Sequence, residues 1–215
     1  MVPAFAIGRT QALLYHLNAL IQSRRLPEIA VAIDTPMGLR VTESYKRFSM
    51  LYDAKALDRM ASGDDPLDFD DLYAVSKPWQ SRRLRDADEP MLIIAGSGMC
   101  TGGRIVGHLK ELLPLPETCV LMVGYQARGT PGLAIQSAGR KARDLDPGDD
   151  PPTVRLEHEE IPVRAHIETL SGLSAHADRG ELKAWLDAVP DVQRVALHHG
   201  EKDVQHKFAN WLNSA

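Results

Sequence analysis

The chain has 215 residues, 44% of them hydrophobic and 25% charged, with 16 Gly and 14 Pro; this composition excludes a disordered or fibrous polymer and leaves room for a buried core. Lys and Arg number 25 against 29 Asp and Glu, a formal net charge of -4, so a wholly basic surface is excluded and any nucleic-acid site must be a local patch. Cys100 and Cys119 form neither a disulfide framework nor a C-x-x-C pair, which points to a reduced, cytoplasmic setting. No apolar run approaches the roughly 20 residues of a membrane helix, and no basic-then-apolar leader opens the chain, so neither a membrane segment nor export is expected.

Residues 3–8 read as the end of a buried strand running into a turn, with almost nothing before it, as if the sheet's edge strand were cut short. Residues 9–23 then place Leu13, Leu14, Leu17, Leu20 and Ile21 on one helical stripe. Residues 28–34 carry the run Ile-Ala-Val-Ala-Ile, continuously apolar, which suits a parallel strand covered on both faces. Thr35-Pro36 ends it, and a helix is expected over 43–51, followed by an acidic loop at 62–66. Residues 91–95 predict a second buried strand, 96–103 a glycine loop, and 104–113 a helix stopped by Pro114. A strand at 119–123, a loop to Gly132 and a short helix over 133–138 repeat the unit. Such alternation predicts an α/β fold with a mostly parallel sheet.

The acidic, Pro- and Gly-rich residues 144–152 sustain neither period and mark a domain boundary, giving domains 1–145 and 153–215. Beyond it, 154–157 and 163–167 read as a strand pair, and Ser174 to Asp178 opens a helix through Leu186. A strand over 194–197 and a helix over 202–212 flank His198-His199-Gly200-Glu201, a strand-to-helix loop of the kind that often carries catalytic groups.

In the 96–103 loop, glycines would let a phosphate approach backbone amides at a helix N-terminus, which makes Gly98, Thr101, Gly102, Gly103 and Arg104 candidate phosphate-binding residues. The loop has neither the G-x-x-x-x-G-K-[ST] pattern nor the G-x-G-x-x-G spacing, and a plain tight turn accounts for its glycines equally well. Ser174, His176 and Asp178 are too close in sequence to stack as a hydrolase triad. Instead, Ser174 or Asp178 caps the helix and His176 projects from the turn, where an imidazole could donate a proton. His198 and His199 face opposite sides of an extended segment. A zinc site requires three or four ligands, and the chain has no H-x-H-x-D-H or H-E-x-x-H run.

Six blocks taken together, Pro-Ala-Phe-Ala-Ile-Gly-Arg-Thr-Gln (3–11), Asp-Thr-Pro-Met (34–37), Gly-Met-Cys-Thr-Gly-Gly-Arg (98–104), Val-Gly-Tyr-Gln (123–126), Ser-Ala-His-Ala-Asp (174–178) and His-Gly-Glu (199–201), resemble the β-CASP branch of the metallo-β-lactamase superfamily. These are RNA-processing nucleases, and the resemblance covers nearly the whole chain. It implies a parallel-sheet β-CASP domain, followed by the C-terminal portion of a metallo-β-lactamase αββα fold after the 144–152 break. It further implies His176 as general acid toward the leaving oxygen, His199 as a zinc ligand, two zinc ions in the complete site, and RNA as substrate held partly by the 98–104 loop.

The family's H-x-H-x-D-H motif and its remaining ligands would lie N-terminal of Pro3, so the resemblance also implies a further metallo-β-lactamase half or a partner chain that supplies them. A shortened edge strand would leave apolar surface exposed, which predicts a homodimer or poor solubility. Two other readings compete: a non-catalytic RNA-binding or interaction module that keeps the β-CASP surface, and a small-molecule phosphate binder using the glycine loop.

Overall fold

A computed structural model describes all residues except Pro147, Ala175 and Ala215. The described chain divides into two compact units, Met1–Leu173 and Ser174–Ala215. In the first, four short strands, β1 (Val2–Pro3), β2 (Ala30–Asp34), β3 (Leu72–Ala74) and β4 (Met91–Ala95), form a wholly parallel sheet in the order β1-β4-β2-β3. A fifth strand, β5 (Cys119–Met122), pairs in parallel with the strand at His166–Thr169. Met1 joins the two sheets, since its amino group donates to the Cys119 carbonyl (2.7 Å) and its carbonyl accepts from the Leu121 amide (2.9 Å). One residue bonded to both neighbours of its opposite number is the parallel ladder pattern. Hence β1, only two residues long, does not stand at a free edge, and that part of the shortened-edge expectation is corrected.

Both faces of this sheet are covered, as the unbroken apolar runs of β2 and β4 require. Along β4, Ile93 and Ala95 point into one core with Ile105, Leu109, Val120, Met122 and Ile135, while Ile94 points into the other with Leu13, Leu14, Val31 and Ile33. The second core is roofed by α1 (Arg9–Gln22). The first is roofed by α5 (Arg104–Leu112), whose number follows α2 (Pro36–Arg47), α3 (Ala54–Ala61) and α4 (Pro78–Arg83), and by α6 (Pro131–Ala142).

Two helices begin earlier than the sequence suggests, and for one reason. Thr35-Pro36 and Thr130-Pro131 are helix starts: each threonine hydroxyl accepts the amide three residues on, and each proline occupies the first turn, where its missing N–H is no loss. The helix expected at 43–51 is thus α2, ending at Arg47, and that expected at 133–138 is α6. α3, β3 and α4 lie where helical periodicity was not recognised; α3 is capped by Asp53, whose carboxylate accepts from the Ala56 amide (2.8 Å).

The strand pair is also rearranged. β6 (Thr153–Leu156) pairs antiparallel with β7 (Glu159–Pro162) through a turn at Glu157, whose φ is 55°. Residues 166–169 form β8, which goes to β5 instead. Pro147, inside the acidic break, lies outside the described residues.

The second unit holds α7 (Arg179–Asp187) and α8 (Lys202–Ser214), with no buried residue among those described. Arg194 to Leu197, expected as a strand, carries no ladder, and the described residues of this unit include no strand to pair with. Trp185 is 70% exposed, and Phe208 stacks on Trp211 at 5.8 Å.

Candidate functional site

In the first unit, the blocks of sequence singled out above meet at the carboxyl ends of the parallel strands, the edge where open α/β sheets bind ligands. The turn after β1 is fixed by Gln11, 2% exposed, which accepts from the Gly8 amide (2.8 Å) and donates to the Ala6 carbonyl (3.2 Å) and the Thr42 hydroxyl (2.9 Å). The Thr10 hydroxyl donates to the Phe5 carbonyl (2.8 Å). The glycine loop closes on that turn: a Cβ at Gly98 would lie 2.8 Å from the Phe5 ring. Gln126, also buried, donates to the Gly98 carbonyl (2.9 Å) from the opposite side.

The loop is strongly self-bonded. The Ser97 amide donates to the Gly102 carbonyl (3.0 Å), the Cys100 amide to the Ser97 carbonyl (3.2 Å), the Thr101 amide to the Ser97 hydroxyl (2.9 Å), and the Ile105 amide to the Gly96 carbonyl (3.1 Å). Gly103 has φ 79°, and a Cβ there would stand 2.5 Å from the Gly96 carbonyl oxygen, so only glycine fits. These amides turn the chain from strand to helix. Cys100 is 1% exposed, and burial pushes its thiol up to about 12, which rules it out as a thiolate nucleophile.

Arg104, expected at a phosphate, reaches inward. Its guanidinium donates to Asp34 Oδ1 (2.5 Å), the Val75 carbonyl (2.9 Å) and the Ser76 carbonyl (2.7 Å). Asp34 is fully buried, and its Oδ2 also accepts from the Ser81 hydroxyl (2.5 Å) and His108 Nε2 (2.7 Å). Burial alone would push the Asp34 carboxyl up; hydrogen bonds from His108, Ser81 and Arg104 outweigh it and hold the carboxyl below its ordinary value. His108 is 1% exposed, and its Nδ1 is enclosed without a hydrogen-bond partner. Sequence reasoning missed Ser81 and His108. The available signal was His108 at i+4 from Arg104 on α5, which sets both side chains on one helix face.

In the second unit, Asp178 is the cap of α7. Its Oδ1 accepts from the Gly180 (2.8 Å) and Glu181 (2.9 Å) amides, and Glu181 returns the bond to the Asp178 amide (2.8 Å). This resolves the choice between Ser174 and Asp178 in favour of Asp178. The Ser174 hydroxyl accepts from the His176 amide (3.2 Å); Ala175, between them, lies outside the described residues. His176 and His199 come from separate segments yet sit with ring centroids 6.5 Å apart, and both are exposed. His199 has φ 70°, a left-handed conformation that costs a non-glycine residue about 1–2 kcal/mol. Gln205 steadies it by donating to the His199 (3.2 Å) and Gly200 (3.1 Å) carbonyls.

Among the described residues no group of three or more His, Cys, Asp or Glu side chains is placed to hold a metal ion. Zinc takes at least three protein ligands, so His176 and His199 by themselves fall short of a zinc site. No helix among the described residues is long and apolar enough to cross a membrane.

Residues 10–135 match the model of the Beta-Casp domain, and residues 160–215 match that of the Zn-dependent metallo-hydrolase RNA specificity domain. The chain is 37% identical to Ribonuclease TTHA0252 of Thermus thermophilus over 203 residues, 94% of this chain and 43% of that protein. It is 29% identical to the transcription termination factor FttA of Methanocaldococcus jannaschii, covering 98% of this chain and 32% of the relative. An RNase J-like protein of the same organism is 27% identical, with 97% and 44% covered. The chain thus spans less than half the length of these relatives.

Proposed function

The chain belongs to the Beta-Casp family of metallo-β-lactamase-fold nucleases, and on that premise we propose that it forms the RNA-contacting part of a zinc-dependent ribonuclease that hydrolyses phosphodiester bonds in RNA processing or decay. Residues 1–145 constitute the β-CASP domain and 153–215 the returning segment of the hydrolase domain, a reading supported by family matches that end and resume on either side of the acidic break. His176 delivers a proton to the departing oxygen. His199 contributes one ligand to a zinc centre whose other ligands come from outside these residues, in the same polypeptide or a partner. Zinc in such a centre supplies Lewis-acid stabilisation of phosphate charge.

The observation that carries this reading is the pairing of His176 with His199, two exposed imidazoles from different motifs held 6.5 Å apart. Around Gly98, Thr101, Gly102 and Gly103, the loop presents its outer surface to an RNA backbone; Arg104 supports that loop from beneath by holding Asp34.

The test is cleavage of labelled single-stranded RNA by the protein isolated from its own cells, before and after chelation and with zinc restored. Loss of cleavage on chelation, recovery with zinc, and loss in His199→Ala are expected. Cleavage that survives chelation would overturn the proposal. Salt-sensitive RNA binding with no cleavage under any metal condition would instead identify a non-catalytic RNA-binding module.

A further inference from the structure

Away from the glycine loop, the first unit contains a groove of about 330 Å³ between α1, α2 and the start of α3, near the low end of the range for small-ligand sites. Tyr15, Tyr45 and Tyr52, three of the chain's five tyrosines, line it together with His16. Gly8, the N-cap of α1, and the α1 residues Gln11, Ala12, Tyr15 and His16 lie on one face, as expected of residues three and four apart. Its lining includes Gly8, three residues beyond Phe5, against whose ring the Gly98 loop packs. One of its lining residues thus belongs to the turn against which the glycine loop packs.

The chemistry of the lining selects its occupant. Among the described lining residues there is no lysine or arginine; the carboxylate on the wall is that of Asp53, which caps α3 through one oxygen and repels phosphate. The Tyr52 hydroxyl is enclosed and lacks a hydrogen-bond partner, and burial followed by the nearby Asp65 charge pushes its phenol up, so it stays a neutral donor. The wall accepts a flat, planar cation as well as a neutral ring: the Arg59 guanidinium lies 4.9 Å over the Tyr15 ring. Flat aromatic faces, one orphan hydroxyl and one carboxylate fit a nucleobase with an exocyclic amine, its phosphates directed away toward the loop.

We propose that this tyrosine groove stacks a single base of an RNA strand that passes the glycine loop of the same unit. The inference rests on the RNA reading above and adds to it a position, a binding mode and a preference for bases bearing an amino group.

The experiment is fluorescence anisotropy of the 215-residue chain with labelled single-stranded oligoadenylate and oligouridylate at two salt concentrations. Tyr45, 38% exposed on α2, can be replaced without opening the core. Tyr45→Ala should weaken oligoadenylate about tenfold with the salt slope unchanged, because a stacked base releases no counterions. Tyr45→Phe should bind as the parent does, and oligouridylate should bind more weakly throughout. Tyr45→Lys separates the contacts: it weakens binding if a base stacks there and strengthens it if the backbone passes there. RNA binding indifferent to Tyr45→Ala would overturn the groove while leaving the RNA reading intact. Absence of RNA binding would overturn both, and displacement of RNA by micromolar spermine in the parent but not in Tyr45→Ala would make the groove a cation site and overturn the base.

Discussion

The glycine loop and the histidine segment carry sequence signals of the same kind, short motifs at strand-to-helix turns, and they end in opposite physical states. In the loop, the backbone is committed to itself: four amides bond within residues 96–105, and Arg104 is committed to a buried carboxylate. In the segment, His176 and His199 are exposed and positioned by backbone bonds to neighbouring residues, not by burial. The difference separates residues that make the fold from residues free to act. A motif identifies where chemistry is sited, and burial decides which of its side chains are available for it.

That distinction breaks most sharply at Asp34. Asp34→Ala leaves Arg104 and His108 without their shared acceptor and should lower unfolding free energy by about 3–5 kcal/mol in urea titrations. A loss below 1 kcal/mol would show that the cluster is incidental. Gly103→Ala tests the loop's steric demand; left-handed backbone together with a 2.5 Å approach to the Gly96 oxygen should cost about 2 kcal/mol in the same assay.

The pH dependence sharpens the same point. The folded Asp34 carboxyl titrates below its unfolded value of 3.8, so the stabilisation is present above that value and lost as pH falls through the lowered folded one. Acid unfolding of the parent should therefore depend more steeply on pH below about 4 than that of Asp34→Asn. Parallel curves would remove the carboxylate from the explanation. The smallest effect is expected in the histidine segment, where His199→Gly relieves a left-handed backbone and should raise stability by about 0.5 kcal/mol. A loss there would mean that the His199 side chain supports the fold.

Much of the first unit was legible because its strands announce themselves: Ile-Ala-Val-Ala-Ile and Met-Leu-Ile-Ile-Ala are continuously apolar, and each became a parallel strand covered on both faces. Helix starts were less legible, since Thr35-Pro36 reads as a strand stop and Thr130-Pro131 as part of a loop until the hydroxyl caps are seen. Partner choice was illegible for β8, whose register with β5 depends on contacts distant in sequence. At the candidate site, His176 and His199 could be named from their motifs. The Asp34, Ser81 and His108 cluster could not, because donors from α4 and α5 meet on one carboxylate of β2 only in the folded chain.

The central claim is that His176 serves chemistry and not stability, and one variant measures both. His176→Ala, introduced into the protein from its own cells, should unfold within about 0.5 kcal/mol of the parent while its RNA cleavage falls by about 10²-fold or more, the scale of a lost general acid. Unchanged cleavage, or a loss of cleavage matched by a loss of folding, would contradict it.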